Sequence, residues 1–308
     1  DYYASRGLGD VYKRQTWEVS ERNAADFSEC VQRTWEYCYD TNRPKPVDTP
    51  YTVDRMKEVM SNFFVESYVG NTPTHYYSGV ELETATCANT DVAEVGFVGR
   101  TLLNAFNALE YGKQQNRQDL VDNANHIFDT YLQNGFSPAG FFNEVVHYNR
   151  DFKETRHSIR RQSEGVYAIL NYLNYEKQQK RKHPEWEKRI KVMLDSFLKL
   201  QNEDGSFPRK FKDDFSIVDA SGGSTPSATL PLVMASKYFK DKRYLASAKR
   251  TVDYLEKELI SKADYFSSTL DANCEDKEAS LYAATAAYYL ALVTKGCLLY
   301  TSPSPRDA

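Results

Sequence analysis

The sequence from residue 190 to residue 207 reads Ile-Lys-Val-Met-Leu-Asp-Ser-Phe-Leu-Lys-Leu-Gln-Asn-Glu-Asp-Gly-Ser-Phe. Its large apolar side chains recur every three or four residues, at Ile190, Met193, Leu194, Phe197 and Leu200. That spacing predicts an amphipathic helix with one buried stripe and a charged outer face. A glycine such as Gly205 is typical of the turn that follows such a helix.

Other segments of the chain divide into two kinds of predicted helix. The single-stripe pattern recurs in residues 120–132 and 244–259. Segments that are apolar on nearly every face lie between these, in residues 92–109, 159–173, 230–234 and 279–292. Helices that are apolar on most faces are buried against neighbours on several sides. The sequence therefore predicts outer helices that alternate with inner helices.

Capping patterns predict where the inner helices begin. We expect these starts near Asp91, Ser158, Pro226 and Asp276. The spacing of roughly 50 to 70 residues fits a repeat made of a helical hairpin and a long loop. Asp91-x-x-Glu94 resembles a capping box, and Thr225-Pro226 fits a cap followed by proline at the first helical position.

Upstream of the first inner helix the sequence predicts two helices and a small strand pair. The helices are expected near residues 18–37 and 53–68. The strand pair is expected between residues 72 and 86, from the pattern of Tyr76, Tyr77, Val80 and Leu82.

An inner ring of helices inside an outer ring is an α/α toroid, and at this point the chain resembles the six-hairpin glycosidase superfamily. The resemblance covers most of residues 16–296. It rests on the alternating helices, on the Gln-Asn-Glu-Asp-Gly-Ser-Phe stretch at residues 201–207, and on the polar starts of the inner helices. It implies an all-α fold with about four of the six hairpins, and a small β-hairpin as an insertion. The superfamily includes unsaturated glucuronyl hydrolases, polysaccharide lyases and other glycosidases.

The two ends of the chain read as opposite strands of one DNA oligonucleotide. Residues 5–15 are one translation of it, and residues 297–306 are a translation of its frame-shifted reverse complement. The oligonucleotide resembles a sequencing-library adapter, so we expect residues 1–15 and 297–308 to be non-native tails on a metagenomic, bacterial gene fragment. Residues 16–296 would then form one partial toroid domain. The compartment stays open, with a periplasmic or secreted location as one option.

The bulk properties argue against several function classes. The formal net charge is −4 and no basic block is present, which disfavours nucleic acid as a partner. No run approaches the ~18 apolar residues of a membrane span. The cysteines are scattered without a Cys-x-x-Cys pair, so we expect no metal site and no other cofactor.

The densest group of candidate site residues lies at residues 156–165, Arg-His-Ser-Ile-Arg-Arg-Gln-Ser-Glu-Gly. In a helix, His157, Arg160 or Arg161, and Glu164 share one face. Paired arginines bind carboxylates in bidentate fashion, which suits a uronic acid. Glu164 is a candidate proton donor, because burial favours the neutral acid. The alternative is an ordinary Arg160–Glu164 ion pair along the helix.

Three further candidates lie near other inner-helix starts, and one lies in a loop. Asp276 is a candidate acid or base, and helix capping explains it equally well. Glu94 and Arg100 flank another start, where a capping box is the alternative for Glu94. Tyr76 lies in a predicted cleft loop, where an aromatic ring can stack on a sugar, although most aromatic side chains belong to the core.

These residues lead to a hypothesis and three alternatives. The chain is predicted to be a glycoside hydrolase acting on an oligosaccharide or polysaccharide that contains uronic acid, with Glu164 or Asp276 as general acid and Glu94 as the partner carboxylate. The predicted substrate-binding residues are His157, Arg160, Arg161, Arg100 and Tyr76. The first alternative is a polysaccharide lyase with His157 or a tyrosine as base.

The second alternative is a non-enzymatic helical-repeat binding module. The third is an isoprenoid-handling toroid, which the stretch from Gln201 to Phe207 faintly resembles. That chemistry needs an Asp-rich motif in an apolar cavity, and the chain has Asp213-Asp214 on a loop that lysines flank. The third alternative is therefore weak.

Overall fold

The computed structural model describes residues 27–43, 45, 48–81, 86–88, 91–96, 100–150, 152–262, 264, 274 and 276–294. The predicted tails, residues 1–15 and 297–308, lie outside this described part of the chain. The chain divides into two units, Asp1–Asp48 and Thr49–Ala308. The described part of the first unit contains helix α1 (Phe27–Asn42), which overlaps the helix predicted near residues 18–37.

The second unit begins with a helix at the place that the sequence predicts. Helix α2 spans Val53–Glu66. The hydroxyl oxygen of Thr52 accepts a hydrogen bond from the backbone N–H of Arg55 and so caps its first turn.

Inner and outer helices alternate along the rest of this unit. The inner helices pack one against the next in chain order, and they are α3 (Thr101–Gln115), α5 (Ile159–Gln178), α7 (Thr225–Phe239) and α9 (Lys277–Thr294). The outer helices pack on α3, α5 and α7 respectively, and they are α4 (Gln118–Asn134), α6 (Pro184–Leu200) and α8 (Lys242–Leu255). This is the arrangement of an α/α toroid, so the predicted fold class is confirmed.

Burial distinguishes the two kinds of helix as the sequence pattern predicts. In the inner helix α7, eleven residues are buried, including every residue from Thr225 to Val233. In the outer helix α8 the buried residues follow one stripe, with its large members at Tyr244, Val252 and Leu255. The outer helices thus cover the inner ones and keep their charged faces in solvent.

Short antiparallel strands connect the helices. Strand β1 (Tyr68–Val69) pairs with β2 (Tyr76–Tyr77), and β3 (Gly79–Glu81) pairs with β4 (Thr86–Ala88). Strands therefore form in the predicted region, but β2 and β3 each pair with a strand that lies wholly or partly outside residues 72–86. Two three-stranded sheets follow. The first contains β5 (Val92–Glu94), β6 (Val145–His147) and β7 (Phe152–Lys153). The second contains β8 (Arg156–Ser158), β9 (Lys210–Lys212) and β10 (Ile217–Asp219).

The prediction that an inner helix begins near Asp91 is wrong. Residues Val92–Glu94 form β5, which pairs with β6, and α3 begins at Thr101. Asp91 has a left-handed backbone with φ of 51°, so Asp91-x-x-Glu94 is not a capping box. The strand β6 that pairs with β5 lies about fifty residues downstream, so the residues around Asp91 do not by themselves indicate a strand.

The other predicted starts of inner helices agree closely with the structure. Ser158 is the N-cap of α5, and its hydroxyl accepts a hydrogen bond from the backbone N–H of Arg161. Asp276 precedes α9 directly, and its Oδ1 accepts a hydrogen bond of 2.8 Å from the N–H of Glu278. Helix α7 begins one residue earlier than predicted, because Ser224 and not Thr225 is its N-cap.

The stretch from Gln201 to Phe207 follows the end of α6 and packs against α8. Gly205 has φ of +96°, a conformation that favours glycine. The side-chain amide of Gln201 donates hydrogen bonds to the carbonyl oxygens of Gly205 (3.0 Å) and Ser247 (3.1 Å), the latter on α8. This turn therefore fixes two outer helices relative to each other.

Candidate active site

A buried arginine gathers acidic side chains at the N-terminal ends of two inner helices. The side chain of Arg160, on α5, is 1% exposed. Its Nε lies 3.3 Å from Oε1 of Glu164 one turn later, and its Nη1 lies 3.5 Å from Oδ2 of Asp276 at the start of α9. Its Nη2 donates to Oε2 of Glu278. One guanidinium group therefore contacts and orients three acidic side chains.

A second arginine brings the start of α3 to the same cluster. Nη2 of Arg100 lies 3.7 Å from Oε1 of Glu164 and 3.4 Å from Oε1 of Glu278. Arg100 is the N-cap of α3 and has a left-handed backbone with φ of 40°. Such a conformation costs a non-glycine residue on the order of 1 kcal/mol and is common at functional sites. With 34% of its side chain exposed, Arg100 remains accessible from solvent.

Tyr282, on α9, also contacts Glu164. Its hydroxyl donates a hydrogen bond of 2.5 Å to Oε1 of Glu164, and its ring centroid lies 5.8 Å from Cζ of Arg160. Burial, together with the charge of Glu164, raises the pKa of the Tyr282 phenol. The phenol therefore stays protonated near neutral pH and acts as a donor to the carboxylate.

Arg161, the neighbour of Arg160, lies between two other carboxylates. Its Nη2 is 4.0 Å from Oε1 of Glu94 on β5, and its Nη1 is 3.8 Å from Oε2 of Glu144. The end of β5 approaches α5 closely, because a Cβ added at Gly96 would lie 2.7 Å from Oε2 of Glu164. Glu94 and Arg161 therefore lie beside the Arg160 cluster.

Glu144 is a buried carboxyl group that the sequence analysis missed. It accepts hydrogen bonds from the backbone N–H of Ser158 and from Nε2 of Gln162, the latter at 3.0 Å. Burial raises the pKa of Glu144 to about 8, although these hydrogen bonds and Arg161 act in the opposite direction. The available signal was a glutamate within an otherwise apolar run, Phe-Phe-Asn-Glu-Val-Val at residues 141–146.

His157 lies in a different environment from the arginines that follow it. It is buried between the rings of Phe141 and Phe211, with centroids 5.0 and 5.5 Å away. Its Nε2 lies 2.7 Å from Oδ1 of Asp213, which also accepts a hydrogen bond from the hydroxyl of Ser137. These contacts link β8 to the loop after β9 and give His157 a structural role.

Tyr76 lies in the core. Its side chain is 0% exposed and stacks on the ring of Tyr148, with centroids 5.9 Å apart. Burial raises the pKa of its phenol to about 12. The predicted sugar-stacking role requires an accessible ring face, and in this structure both faces of Tyr76 are covered.

The structure thus brings together four of the predicted site residues and places two more beside them. Glu164, Asp276, Arg160 and Arg100 meet directly, and Glu94 and Arg161 flank them. Glu278 and Tyr282, both on the first turns of α9, join the cluster although the sequence analysis did not select them. Their spacing of four residues places them on one helical face, which is the signal that was available.

The chemistry of the cluster is that of carboxyl groups and guanidinium groups. Such a set can transfer protons and bind an anionic substrate group. Within the described ranges, no group of three or more His, Cys, Asp or Glu side chains is arranged to hold a metal ion. No helix in the described part of the chain is long and apolar enough to cross a membrane.

Solved structures with the same fold are carbohydrate enzymes by description. A possible GH105 family member from Salmonella enterica is 13% identical over 95% of this chain and 76% of that chain, with a TM-score of 0.60. The family 76 glycoside hydrolase (mannosidase) Bt3792 from Bacteroides thetaiotaomicron is 10% identical over 78% of this chain and 64% of that chain, with a TM-score of 0.56. Cellobiose 2-epimerase from Bacillus thermoamylovorans is 13% identical over 79% of this chain and 72% of that chain, with a TM-score of 0.54.

These similarities establish the fold. The chain has the α/α-toroid fold that its sequence predicts. No protein-family model matches the chain, and no curated protein sequence matches it. Identities of 10–13% leave the reaction to be argued from the side chains of the site.

Proposed function

We propose that this chain is a carbohydrate-active enzyme, a glycoside hydrolase that acts on a glycan containing uronic acid. The observation that carries the proposal is the meeting of Glu164 and Asp276 at Arg160, where the inner helices α5 and α9 begin. Glycoside hydrolysis requires two carboxyl groups, one to protonate the leaving oxygen and one to act as base or nucleophile.

The shared guanidinium limits how far apart these two carboxyl groups lie. Glu164 contacts Nε and Asp276 contacts Nη1 of the same planar group. Inverting glycosidases separate their carboxyl groups by roughly 6.5–9.5 Å and retaining ones by about 5–5.5 Å, so the separation of this pair decides the stereochemical outcome.

Charge distribution supports different roles for the two carboxyl groups. Arg160, Arg100 and the Tyr282 hydroxyl all contact Glu164, and Arg160 also contacts Asp276. We assign Glu164, which these cationic and hydrogen-bond-donating groups surround, the role of base or nucleophile, and Asp276 that of general acid. The sequence offered either residue as the general acid.

The arginines also divide into two roles. Arg160 is buried and occupied by three carboxylates, so it positions the catalytic groups. Arg100 is 34% and Arg161 is 16% exposed, and each is held by carboxylates at 3.4 Å or more. A substrate carboxylate can compete for these longer contacts, because a bidentate arginine pair is stronger. We assign the uronic acid to Arg100 and Arg161, with Glu94 orienting Arg161.

Hydrolysis of a panel of uronic-acid oligosaccharides tests the proposal. The purified chain is incubated with each oligosaccharide, and new reducing ends are measured for the wild type, Glu164→Gln and Asp276→Asn. Each substitution removes one member of the carboxyl pair and keeps the shape of the side chain. We expect kcat to fall roughly 100-fold or more in both variants.

Glu187→Gln is the matched control. Glu187, on the outer helix α6, accepts a hydrogen bond of 2.6 Å from Tyr238, so its loss perturbs a comparable contact away from the site. Its kcat should equal that of the wild type. Unchanged cleavage by Glu164→Gln and Asp276→Asn would refute the assignment. Saturable binding of oligosaccharide without cleavage would favour a binding module instead.

The same assay separates hydrolysis from elimination. A lyase forms a conjugated double bond in its product, which absorbs in the ultraviolet, and a hydrolase does not. A lyase would need a base near C5 of the sugar, and the sequence offered His157 or a tyrosine. His157 is buried against Phe141 and Phe211, which disfavours that role. New ultraviolet absorbance during cleavage would overturn the hydrolase proposal.

A further inference from the structure

Two histidines from distant parts of the chain meet at the hydroxyl of Tyr68. Tyr68 lies on β1, His75 lies just before β2, and His126 lies on α4. The Tyr68 hydroxyl is 2.6 Å from Nδ1 of His75 and 3.4 Å from Nδ1 of His126. His126 is exposed and His75 is partly exposed, so solvent reaches the cluster.

The cluster has two histidine nitrogens facing one phenol hydroxyl, so one hydroxyl hydrogen must serve two possible acceptors. A phenol has a single hydrogen to donate, and the same ring nitrogen of both histidines points at it. The hydroxyl hydrogen can be donated to the Nδ1 of one histidine, so the Nδ1 of the other histidine points either a lone pair or its own N–H at the phenol oxygen. Imidazole nitrogens that converge on one point are typical ligands of a transition-metal ion.

The backbone around the cluster is held in place before any ligand binds. The N–H of His75 donates a hydrogen bond of 3.0 Å to the hydroxyl of Thr130, which lies on α4 one turn after His126. The side-chain amide of Asn134, further along α4, donates to the carbonyl oxygen of Pro73 at 2.7 Å. The loop that carries His75 is therefore fixed against the helix that carries His126, which reduces the entropy lost when a ligand joins them.

The separation of the two imidazoles fits a shared ion. Their ring centroids lie 6.0 Å apart and their planes meet at 78°. With Zn–N bonds of roughly 2.0–2.1 Å, two imidazoles on one tetrahedral zinc ion have centroids about 5–6 Å apart. His126 is exposed, so its side chain has room to rotate when an ion binds.

We propose that Tyr68, His75 and His126 form a binding site for a borderline divalent transition-metal ion such as Zn²⁺. The two Nδ1 atoms are the nitrogen ligands, the Tyr68 oxygen lies at the third position, and water fills the fourth. The ion would join the loop between β1 and β2 to α4. The site uses none of the carboxyl groups assigned to sugar cleavage, so the two proposals succeed or fail independently.

Isothermal titration of the full chain with ZnCl₂ tests this proposal. Cys30, Cys38 and Cys274 are exposed thiols that also bind zinc, so thiols are first blocked with iodoacetamide. We expect one Zn²⁺ to bind per chain, with affinity falling at least roughly tenfold in His126→Ala. His126 is exposed, so this substitution leaves the fold intact, which circular dichroism verifies.

His147→Ala is the matched control. His147 lies on β6, where its ring packs on Phe152 and its Nε2 contacts Arg150, so its removal should leave zinc affinity unchanged. Zinc should also raise the melting temperature of the wild type and not that of His126→Ala. Absence of saturable binding by the wild type, or equal affinity in His126→Ala, would overturn the site.

Discussion

The Tyr282 hydroxyl on α9 donates a 2.5 Å hydrogen bond to Oε1 of Glu164 on α5, between residues 118 positions apart in the sequence. Helix α7 packs against both of these helices. The bond therefore joins two inner helices that are not neighbours in chain order. It couples the position of a proposed catalytic carboxylate to the packing of the inner helices.

Tyr282→Phe should weaken both the fold and the proposed reaction. Phenylalanine keeps the ring near Arg160 and removes the hydrogen-bond donor of Glu164. We expect the free energy of unfolding to fall by about 1–2 kcal/mol, since the acceptor is a charged group. We also expect kcat to fall. Urea denaturation and the oligosaccharide assay measure the two effects.

Tyr238→Phe provides the comparison for that variant. Tyr238 donates a similar hydrogen bond of 2.6 Å to Glu187, between α7 and α6. Its loss should lower stability by a comparable amount and leave kcat unchanged. If both variants lower kcat equally, the lower kcat of Tyr282→Phe follows from lost stability and not from a role of Tyr282 in the reaction.

Arg100→Met should discriminate between acidic and neutral substrates. The substitution keeps an unbranched side chain and removes the guanidinium proposed to bind the uronic acid. We expect KM for uronic-acid oligosaccharides to rise by roughly tenfold or more, since a charge-assisted hydrogen bond contributes about 1.5–3 kcal/mol. KM for a neutral oligosaccharide that is also cleaved should not change. Arg117→Met, which removes the exposed Arg117–Asp119 pair at the start of α4, is the control.

Glu144→Gln should change how stability depends on pH. Burial raises the pKa of Glu144 from 4.5 to about 8, so between these values the folded protein holds a proton that the unfolded chain has released. The free energy of unfolding of the wild type should therefore decrease as the pH rises through this window, by up to about 1.4 kcal/mol per pH unit. Glutamine has no proton to lose, and its carbonyl oxygen can still accept from Ser158.

Urea denaturation of both proteins between about pH 5 and pH 7.5 measures this difference. The difference in unfolding free energy between Glu144→Gln and the wild type isolates Glu144 from all other titrating groups. It should increase steadily with pH. A constant difference across the range would show that Glu144 has the same pKa in the folded and unfolded states.

The helices could be predicted from the sequence because their determinants are local. The stripe from Ile190 to Leu200 predicts the outer helix α6, and every residue of that stripe is buried in the structure. Ser158 marks the start of α5, because a cap acts on the backbone three residues away. These features require no knowledge of the rest of the chain.

The short strands and part of the site could not be predicted in this way. Strand β5 has three residues and forms because β6 lies beside it, a pairing that no local pattern encodes. For the same reason Asp91-x-x-Glu94 was misread as a helix start. The surroundings of Glu144 and Tyr76 also depend on distant residues, Gln162 and Tyr148 respectively. Local patterns thus located Glu164 and Asp276, and they missed Glu144, which tertiary packing buries.

Asp213→Asn should destabilise the fold without a direct effect on the proposed chemistry. Asp213 accepts hydrogen bonds from Ser137 and from buried His157, at 2.6 and 2.7 Å. Removing its charge should lower the free energy of unfolding by roughly 1–2 kcal/mol. Asp214→Asn is the matched control, because Asp214 is the adjacent residue and asparagine retains an acceptor for the N–H of Ser216. Equal stability of the two variants, measured by urea denaturation, would argue against a structural role for the His157–Asp213 pair.

Gly205→Ala tests the turn that follows α6 and packs against α8. A Cβ at this position would lie 2.1 Å from the carbonyl oxygen of Arg250 on α8, and φ of +96° is unfavourable for alanine. Because the obstructing atom belongs to the backbone of a packed helix, α8 would have to move. We expect the free energy of unfolding to fall by at least about 3 kcal/mol, since backbone strain and overpacking act together.

Glu203→Ala, two residues earlier in the same turn, is the comparison for that variant. Glu203 is exposed, so its truncation should change the free energy of unfolding by less than about 0.5 kcal/mol. Urea denaturation of both variants measures the contrast. A Gly205→Ala protein as stable as Glu203→Ala would mean that the turn and α8 are not in close contact. The sequence from Gln201 to Phe207 would then not fix the two outer helices relative to each other.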